Sequence, residues 1–314
     1  MREKITLITG ANGEIGQELI KTLSKNTTLK LVALDLHPPV DNIKNLLYEN
    51  ITGNILDKNL LEQISSTYEI NEVYHLAALL STRAEFAPHI AHEVNVTGTL
   101  NMLTLAVEQA KSQGNAIKFF FPSSIAIYGF NNIDIKKQAG AISEEEHCNP
   151  ITMYGCNKLY CEKLGIYYST HYHQLSDDYK DNLIDFRSIR FSGLISNTTE
   201  PQGGTSDYIP QMLHSAARGK LYDCFVDEKT RMPFMTMADA IDSIIQLMNA
   251  DKNDIHSKIY HLSTFNPTPK EFAQLLKKYF PDFKMKYDIN NKRQQMVNSW
   301  PLDLNCDKAK KEWS

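Results

Sequence analysis

The 314-residue chain lacks several features, and each absence excludes a class of protein. No apolar run approaches the roughly 18 residues that span a bilayer, so no membrane helix is expected. The N-terminal stretch Ile5-Thr6-Leu7-Ile8 is too short for a signal-peptide core and no small-residue cleavage site follows it, which predicts a cytoplasmic protein. The five cysteines (Cys148, Cys156, Cys161, Cys224, Cys306) are odd in number and contain no Cys-x-x-Cys, which argues against a disulfide framework and a structural zinc site. Each reads as a reduced, small packing residue. There is no basic excess: Lys and Arg number 33 against 37 Asp and Glu, a net charge of −4, so nucleic-acid binding is not expected. Repeats and low-complexity linkers are also missing.

What remains is globular in character, with 42% apolar and 22% charged residues. A chain of this length can bury about 75% of its unfolded surface, enough to hold a precise site. The first half alternates strand and helix patterns. Lys4–Thr9, Leu29–Asp35, Val73–Ala77, Ile117–Pro122 and Leu183–Arg190 read as buried strands. Glu14–Lys25, Asp57–Tyr68, Ala91–Ser112 and Ile151–His173 read as helices between them. Such alternation predicts an α/β protein with a parallel sheet covered by helices on both faces. After residue 191 the pattern loosens. The Gly/Pro/Thr-rich stretch Asn197–Ser206, short strands within 222–237, a helix Met237–Asn249, a strand Lys258–Leu262 and a helix Pro269–Tyr279 precede an irregular remainder. These predict a smaller, partly interleaved C-terminal lobe, with a cleft between the two as the ligand site.

The first strand runs into Gly10-Ala11-Asn12-Gly13-Glu14-Ile15-Gly16 and then directly into a helix. Glycines at that spacing let backbone N–H groups and a helix N-terminus approach a pyrophosphate. The second strand ends at Asp35, whose carboxylate suits an adenosine ribose diol and repels a 2′-phosphate, favouring NAD over NADP. Asn54 and Ile55 precede the helix cap Asp57 and could flank the adenine ring. Tyr154 and Lys158 stand four apart at the start of a long helix, on one face. An ammonium beside a phenol lowers the phenol pKa from about 10 and makes a general base for a hydroxyl proton. Ser123 and Ser124 end the strand Ile117–Pro122, where open parallel sheets bind ligands, and a hydroxyl there can hold the substrate oxygen.

With these residues in place the chain resembles the extended short-chain dehydrogenase/reductases, the group that includes nucleotide-sugar epimerases. The matching pieces are Gly10–Gly16, Asp35, His75-Leu76-Ala77-Ala78, Val94-Asn95, Phe121-Pro122-Ser123-Ser124 and Tyr154 with Lys158. The resemblance implies a Rossmann domain, a doubly wound parallel sheet, with NAD held by Gly10, Asn12, Gly13, Glu14, Ile15, Gly16, Asp35, Asn54 and Ile55. It adds Leu76, Ala77, Ala78, Asn95, Ser123, Phe191, Tyr154 and Lys158 to that set. Ser124, Tyr154 and Lys158 are implied as the catalytic residues, with Asn95 supporting the lysine. Within the group the chain is similar to the short-chain type of L-threonine 3-dehydrogenase, through Leu79-Leu80-Ser81, Asp185–Arg190, Pro201–Tyr208, Thr230–Pro233, Arg293–Gln295 and Asn298–Pro301. That likeness implies Ser81, Ser124, Tyr154, Gly204, Thr205 and Ser206 around an amino acid, no metal, and oxidation of L-threonine at its β-carbon. It also implies a homodimer through the helices 91–112 and 151–173. Residues 1–190, rejoined by 236–263, would form the NAD-binding domain, and 191–235 with 264–314 the substrate lobe.

The chain departs from that pattern at Asn157, Ala84, Ser192 and Arg83, and it ends at Ser314, short of an aromatic- and proline-containing tail. Three rivals remain. A nucleotide-sugar epimerase or dehydratase would share the Ser, Tyr and Lys but needs cations for a diphosphate, for which Arg218 and Arg231 are candidates. A non-catalytic NAD sensor would have no need of all three catalytic positions. A zinc alcohol dehydrogenase would need a metal set, and His89 and His92 near Glu93 read instead as surface residues.

Overall fold

A computed structural model of the chain describes residues 2–177, 179–201 and 204–313. Seven strands form one parallel sheet: β1 (Glu3–Thr9), β2 (Leu31–Asp35), β3 (Glu49–Thr52), β4 (Tyr68–His75), β5 (Ile117–Ser124), β6 (Ile184–Phe191) and β7 (Ile259–Leu262). Their spatial order is β7-β6-β5-β4-β1-β2-β3, so the winding reverses between β1 and β4. In doubly wound sheets that reversal opens a crevice at the carboxyl ends of the strands, which is where ligands bind.

The helices cover both faces. On one lie α2 (Lys58–Thr67), α3 (Gly98–Gln113) and α4 (Met153–Thr170), packed on side chains such as Leu7, Val32, Val73 and Phe119. On the other lie α1 (Glu14–Leu23) and α5 (Met237–Asn249), packed on Ile8, Ala33, Phe120 and Ile189. Burial on two sides explains the near-continuous apolar strands. A third core, around Tyr128, Tyr208, Phe234 and Trp300, joins residues after β5 to the C-terminal half.

β6 is buried along its whole length although it carries Asp185, Arg187 and Arg190. Arg187 pairs with Asp185 (2.6 Å) and donates to the Ala250 carbonyl (2.9 Å), just past the end of α5. A guanidinium there satisfies carbonyls that a helix terminus leaves over. Arg190, on the other face, pairs with Glu162 of α4.

Three differences from the sequence pattern have local causes. β4 begins at Tyr68, five residues earlier than the apolar run suggests, because polar Glu69, Asn71 and Glu72 interrupt it. The helix expected over 91–112 is two α segments joined by a π turn, Glu93–Thr97, which pushes Asn95 inward to 2% exposure. The stretch after Tyr279 is ordered rather than irregular. Met285–Tyr287 pairs with Tyr222–Cys224, Asn291–Asn298 is a helix, and Asp303–Leu304 pairs with Ala141–Ile142. Elements this short carry no readable period. All five cysteines are unpaired thiols. Among the described residues no helix is long and apolar enough to cross a membrane.

α4 lies close to the sheet because two of its residues are glycine. A Cβ at Gly155 would overlap the Ala126 carbonyl, and one at Gly165 would overlap the Phe186 ring. Gly155→Ala is expected to displace the first turn of α4, lower thermal stability by about 1–3 kcal/mol and cut activity more than stability. Calorimetry beside a turnover assay checks this, and an unchanged melting temperature with full activity would refute it.

Candidate active site

The glycine turn starts at Gly10, which has φ of +69° and lies so close to the continuation of β4 that a Cβ would come within 2.6 Å of the Ala77 nitrogen. A Cβ at Gly16 would come within 2.6 Å of the Gly10 and Ala11 carbonyls. Gly13 is the N-cap of α1 and offers no side chain to the first-turn N–H groups. Those N–H groups and the positive end of the helix suit an anion. Asp35 ends β2 beside them. Its carboxylate accepts from the Asn12 N–H (3.0 Å) and the His37 N–H (3.2 Å), tying the turn to β2. Asn12 in turn donates to the His37 and Pro38 carbonyls (both 3.0 Å). Each Asp35 oxygen retains a lone pair for a ribose hydroxyl. A glycine turn at a helix start, with a carboxylate at the end of the next strand, fits a dinucleotide.

Across the crevice stand the ends of β5 and α4. Ser124 accepts from the Ala126 N–H (3.2 Å), and Ser123 donates to Glu162 (2.5 Å). Glu162 and Arg190 form a fully buried bidentate pair, with both contacts at 2.7 Å. Arg190 also donates to the Tyr128 hydroxyl (2.6 Å). One ion pair therefore joins α4, β5 and β6. Lys158 is 3% exposed and donates to the Pro122 carbonyl (2.6 Å), with its ammonium 4.4 Å from the centre of the Phe121 ring and 5.5 Å from that of Tyr154. Burial pushes the Lys158 pKa down to about 8, partly offset by Cys161 and Glu162. Burial also pushes the Tyr154 phenol well above 10. The expectation of a lysine-lowered phenol is therefore not met in this cavity. Lys158 turns its charge to a carbonyl, and desolvation of the phenolate dominates.

These groups enclose a cavity of about 420 Å³. Its wall on the turn side includes Gly10, Asn12, Gly13, Glu14, Ile15, Gly16 and Asp35, then Leu76, Ala77 and Ala78 after β4. The opposite wall includes Ser123, Ser124, Tyr154, Lys158 and Phe191, with Ser81, Gly204 and Ser206 beside them. Four expected residues lie off the wall. Asn54 folds back on the Leu56 N–H (3.0 Å), and Ile55 is buried against Gly98. Thr205 is 2% exposed. Asn95 grips the backbone of Leu79 from both sides (2.7 and 3.1 Å) and reaches Asn157 of α4 (3.3 Å). Asn157, one of the departures from the family pattern, thus has a partner. Gly203 falls outside the described residues.

The wall also holds Leu80, Ser192, Gly193, Asp207 and Trp300, which sequence reasoning did not select as site residues. Trp300 had a signal, its Asn-Ser-Trp-Pro setting; the others had none beyond lying near selected residues. Lys158 is the only lysine or arginine among the described wall residues, against Glu14, Asp35 and Asp207. Arg218 pairs with Glu200, and Arg231 with Glu271 and the Asn266 carbonyl, so neither candidate cation faces the cavity.

A parallel sheet reversing between β1 and β4, a glycine turn with an acid at the next strand, and Ser, Tyr and Lys at the opposite wall define a Rossmann-fold nucleotide enzyme. Residues 6–263 match the NAD dependent epimerase/dehydratase family, and the chain belongs to that family. It is 35% identical to an uncharacterized epimerase/dehydratase of Staphylococcus aureus strain MRSA252, across 99% of this chain and 91% of that protein. Among solved structures, an L-threonine dehydrogenase from Clostridium difficile aligns with a TM-score of 0.85 at 34% identity, over 100% of this chain and 92% of that one. A monomeric L-threonine 3-dehydrogenase from a metagenome aligns with a TM-score of 0.84 at 34% identity, over 98% and 92%. NAD is the cofactor of the family, and the cradle fits it.

Asp35→Ala is expected to weaken NAD binding about tenfold and to erase its preference over NADP. Fluorescence titration with both nucleotides checks this, and an unchanged preference would remove Asp35 from the ribose site. Glu162→Ala leaves Arg190 buried without its carboxylate and should cost about 3–5 kcal/mol in urea unfolding.

Proposed function

We propose that this chain oxidises L-threonine at its β-carbon with NAD. The observation that carries the reading is the wall chemistry: small hydroxyl and glycine residues share the cavity with Ser124 and Tyr154, and Lys158 is the one lysine or arginine among its described residues. A zwitterion the size of threonine suits such a wall, whereas a sugar diphosphate would need cations that Arg218 and Arg231 do not bring. The likeness to the threonine dehydrogenase structures supports it.

In this reading Ser124 holds the substrate hydroxyl by a hydrogen bond. Tyr154 removes that hydroxyl's proton. Lys158, charged below about pH 8, steadies the phenolate and orients the cofactor ribose. Ser81, Gly204 and Ser206 surround the ammonium and carboxylate, with Thr205 buried beside them. When bound, NAD supplies the acceptor for the hydride lost from C3, so the products are 2-amino-3-oxobutanoate, NADH and a proton. Residues 1–190 and 236–263 act as the cofactor domain, with β7 from the second segment paired to β6. Residues 191–235 and 264–314 act as the substrate lobe, bringing Gly204 and Trp300 to the cavity. Tyr160 and Tyr167, seven apart on α4, are exposed, as are Ile151 just before that helix and Ile90 just before 91–112. We place a two-fold dimer contact there, although one similar structure is described as monomeric. Light scattering at micromolar concentration should give twice the 35.8 kDa chain mass, and a monomer mass would defeat the dimer.

The test is NADH formation from L-threonine beside D-threonine, L-allo-threonine, L-serine and UDP-glucose. Turnover of L-threonine alone is expected, reduced on the order of a thousandfold in Tyr154→Phe. No NADH from any amino acid, with epimerisation of the nucleotide sugar, would establish the rival. The pH profile tests the lysine. Because the buried phenol must lose a proton, kcat/KM should rise with pH. Because the lysine carries its charge only below about pH 8, Lys158→Met should lower kcat/KM by about 10²-fold below that pH and by less above it. An equal loss at every pH would rule out an electrostatic role for Lys158.

A further inference from the structure

The cradle contains a feature that a simple phosphate site would avoid. Glu14 opens α1, lines the cavity and stands in the turn whose backbone N–H groups suit an anion. An acid in the first turn of a helix is favourable for an empty protein, since it answers the helix dipole. A pyrophosphate carries two negative charges and needs the same dipole.

The neighbours of Glu14 do not neutralise it. Glu18, one turn on, accepts from Lys21 (2.7 Å) and from the Thr198 hydroxyl (2.9 Å), so the cation of this helix is committed there. Among the described residues no cation forms an ion pair with Glu14. Facing it from the C-terminal half is a second acid, Asp207, which accepts from the Gly204 N–H (2.5 Å). Arg293 donates to the Gly204 carbonyl and stacks 3.3 Å from the centre of the Phe225 ring, so its charge lies toward Asp207. Asp35 and Lys158 complete the charged groups on the cavity wall. Burial and the charge of Asp207 raise the pKa of Glu14 above its ordinary value, with the Thr199 hydroxyl opposing.

We propose that Glu14 is an affinity-setting residue that keeps the dinucleotide exchangeable, its carboxylate repelling the pyrophosphate that the glycine turn attracts. The chemical reason for such a device follows from the reaction, and to that extent it rests on the dehydrogenase reading above. An enzyme that returns its hydride to the substrate can keep one cofactor molecule indefinitely. A net oxidation leaves the hydride on the cofactor, which must then depart in every turnover. The repulsion also links binding to a proton. Protonated Glu14 permits tight binding, so affinity is higher at low pH and falls as Glu14 ionises.

The test is calorimetric titration of the full chain with NAD and with NADH at pH 5.5 and 7.5, together with stopped-flow release of NADH. Glu14→Gln keeps the shape and removes the charge. It should bind both nucleotides about tenfold more tightly at pH 7.5, release NADH correspondingly more slowly, and lose the tightening seen in the wild type at pH 5.5. Asp207→Asn, which leaves Glu14 in place, should move affinity in the same direction by less. Equal or weaker binding by Glu14→Gln at pH 7.5, or an unchanged pH dependence, would overturn the proposal. Threonine turnover is read separately. Tighter NAD binding by Glu14→Gln without threonine-dependent NADH would uphold the charge effect and sink only the dehydrogenase reading.

Discussion

The arrangement of the site depends on one buried ion pair, Glu162 with Arg190. Glu162 is one turn beyond Lys158 on α4, Arg190 is the penultimate residue of β6, and Ser123 at the end of β5 donates to the same carboxylate. Two charges out of water are costly unless their geometry and remaining hydrogen bonds are satisfied. Here they are, with Tyr128 and the Glu144 carbonyl taking further guanidinium donors. The result is less a source of stability than a constraint. The pair ties helix, strand and strand end together at the wall that carries Ser124 and Tyr154. Asn95 adds a second tie, holding the Leu79 backbone to the first turns of α4 through Asn157.

The two halves of the cavity differ in how they meet water. The turn side is held close by Gly10 and Gly16, and its helix start carries no side-chain cap at Gly13. The far side is buried side chain, and burial governs its acid–base state. The same desolvation that lowers the Lys158 pKa raises that of Tyr154, so burial favours the neutral form of both. Polar groups in such a setting respond strongly to any charge that enters, which makes the acids Glu14, Asp35 and Asp207 consequential for what the cavity accepts.

Much of the cofactor half was legible in the linear order. Strand, Gly10–Gly16, helix and Asp35 are adjacent in sequence because a βαβ unit is local, and its turn must be glycine where the backbones touch. The Ser, Tyr and Lys of the proposed mechanism, all on the cavity wall, stood out by spacing and position: Tyr154 and Lys158 are four apart on one helix, and Ser124 ends a strand. Less local features were not. Asn54 and Ile55 pass close in sequence to the expected adenine site, yet one closes a turn and the other packs on Gly98. The ordered stretch after Tyr279 escaped because two- and three-residue strands take their pairing from distant partners, Tyr222–Cys224 and Ala141–Ile142.

By itself, then, the sequence determined the class of fold, the dinucleotide turn and the identity of the Ser, Tyr and Lys, since each is encoded within a few tens of contiguous residues. Tertiary structure alone decided which charges face the cavity. It turned Arg218 and Arg231 to surface acids, committed Arg190 to Glu162, brought Asp207 and Trp300 to the wall, and left Lys158 as the cation there. It also reversed the expected direction of the Tyr154 pKa. The physical reason is the same in each case. Desolvation and pairing depend on neighbours far apart in the chain, and spacing along a sequence carries no measure of either.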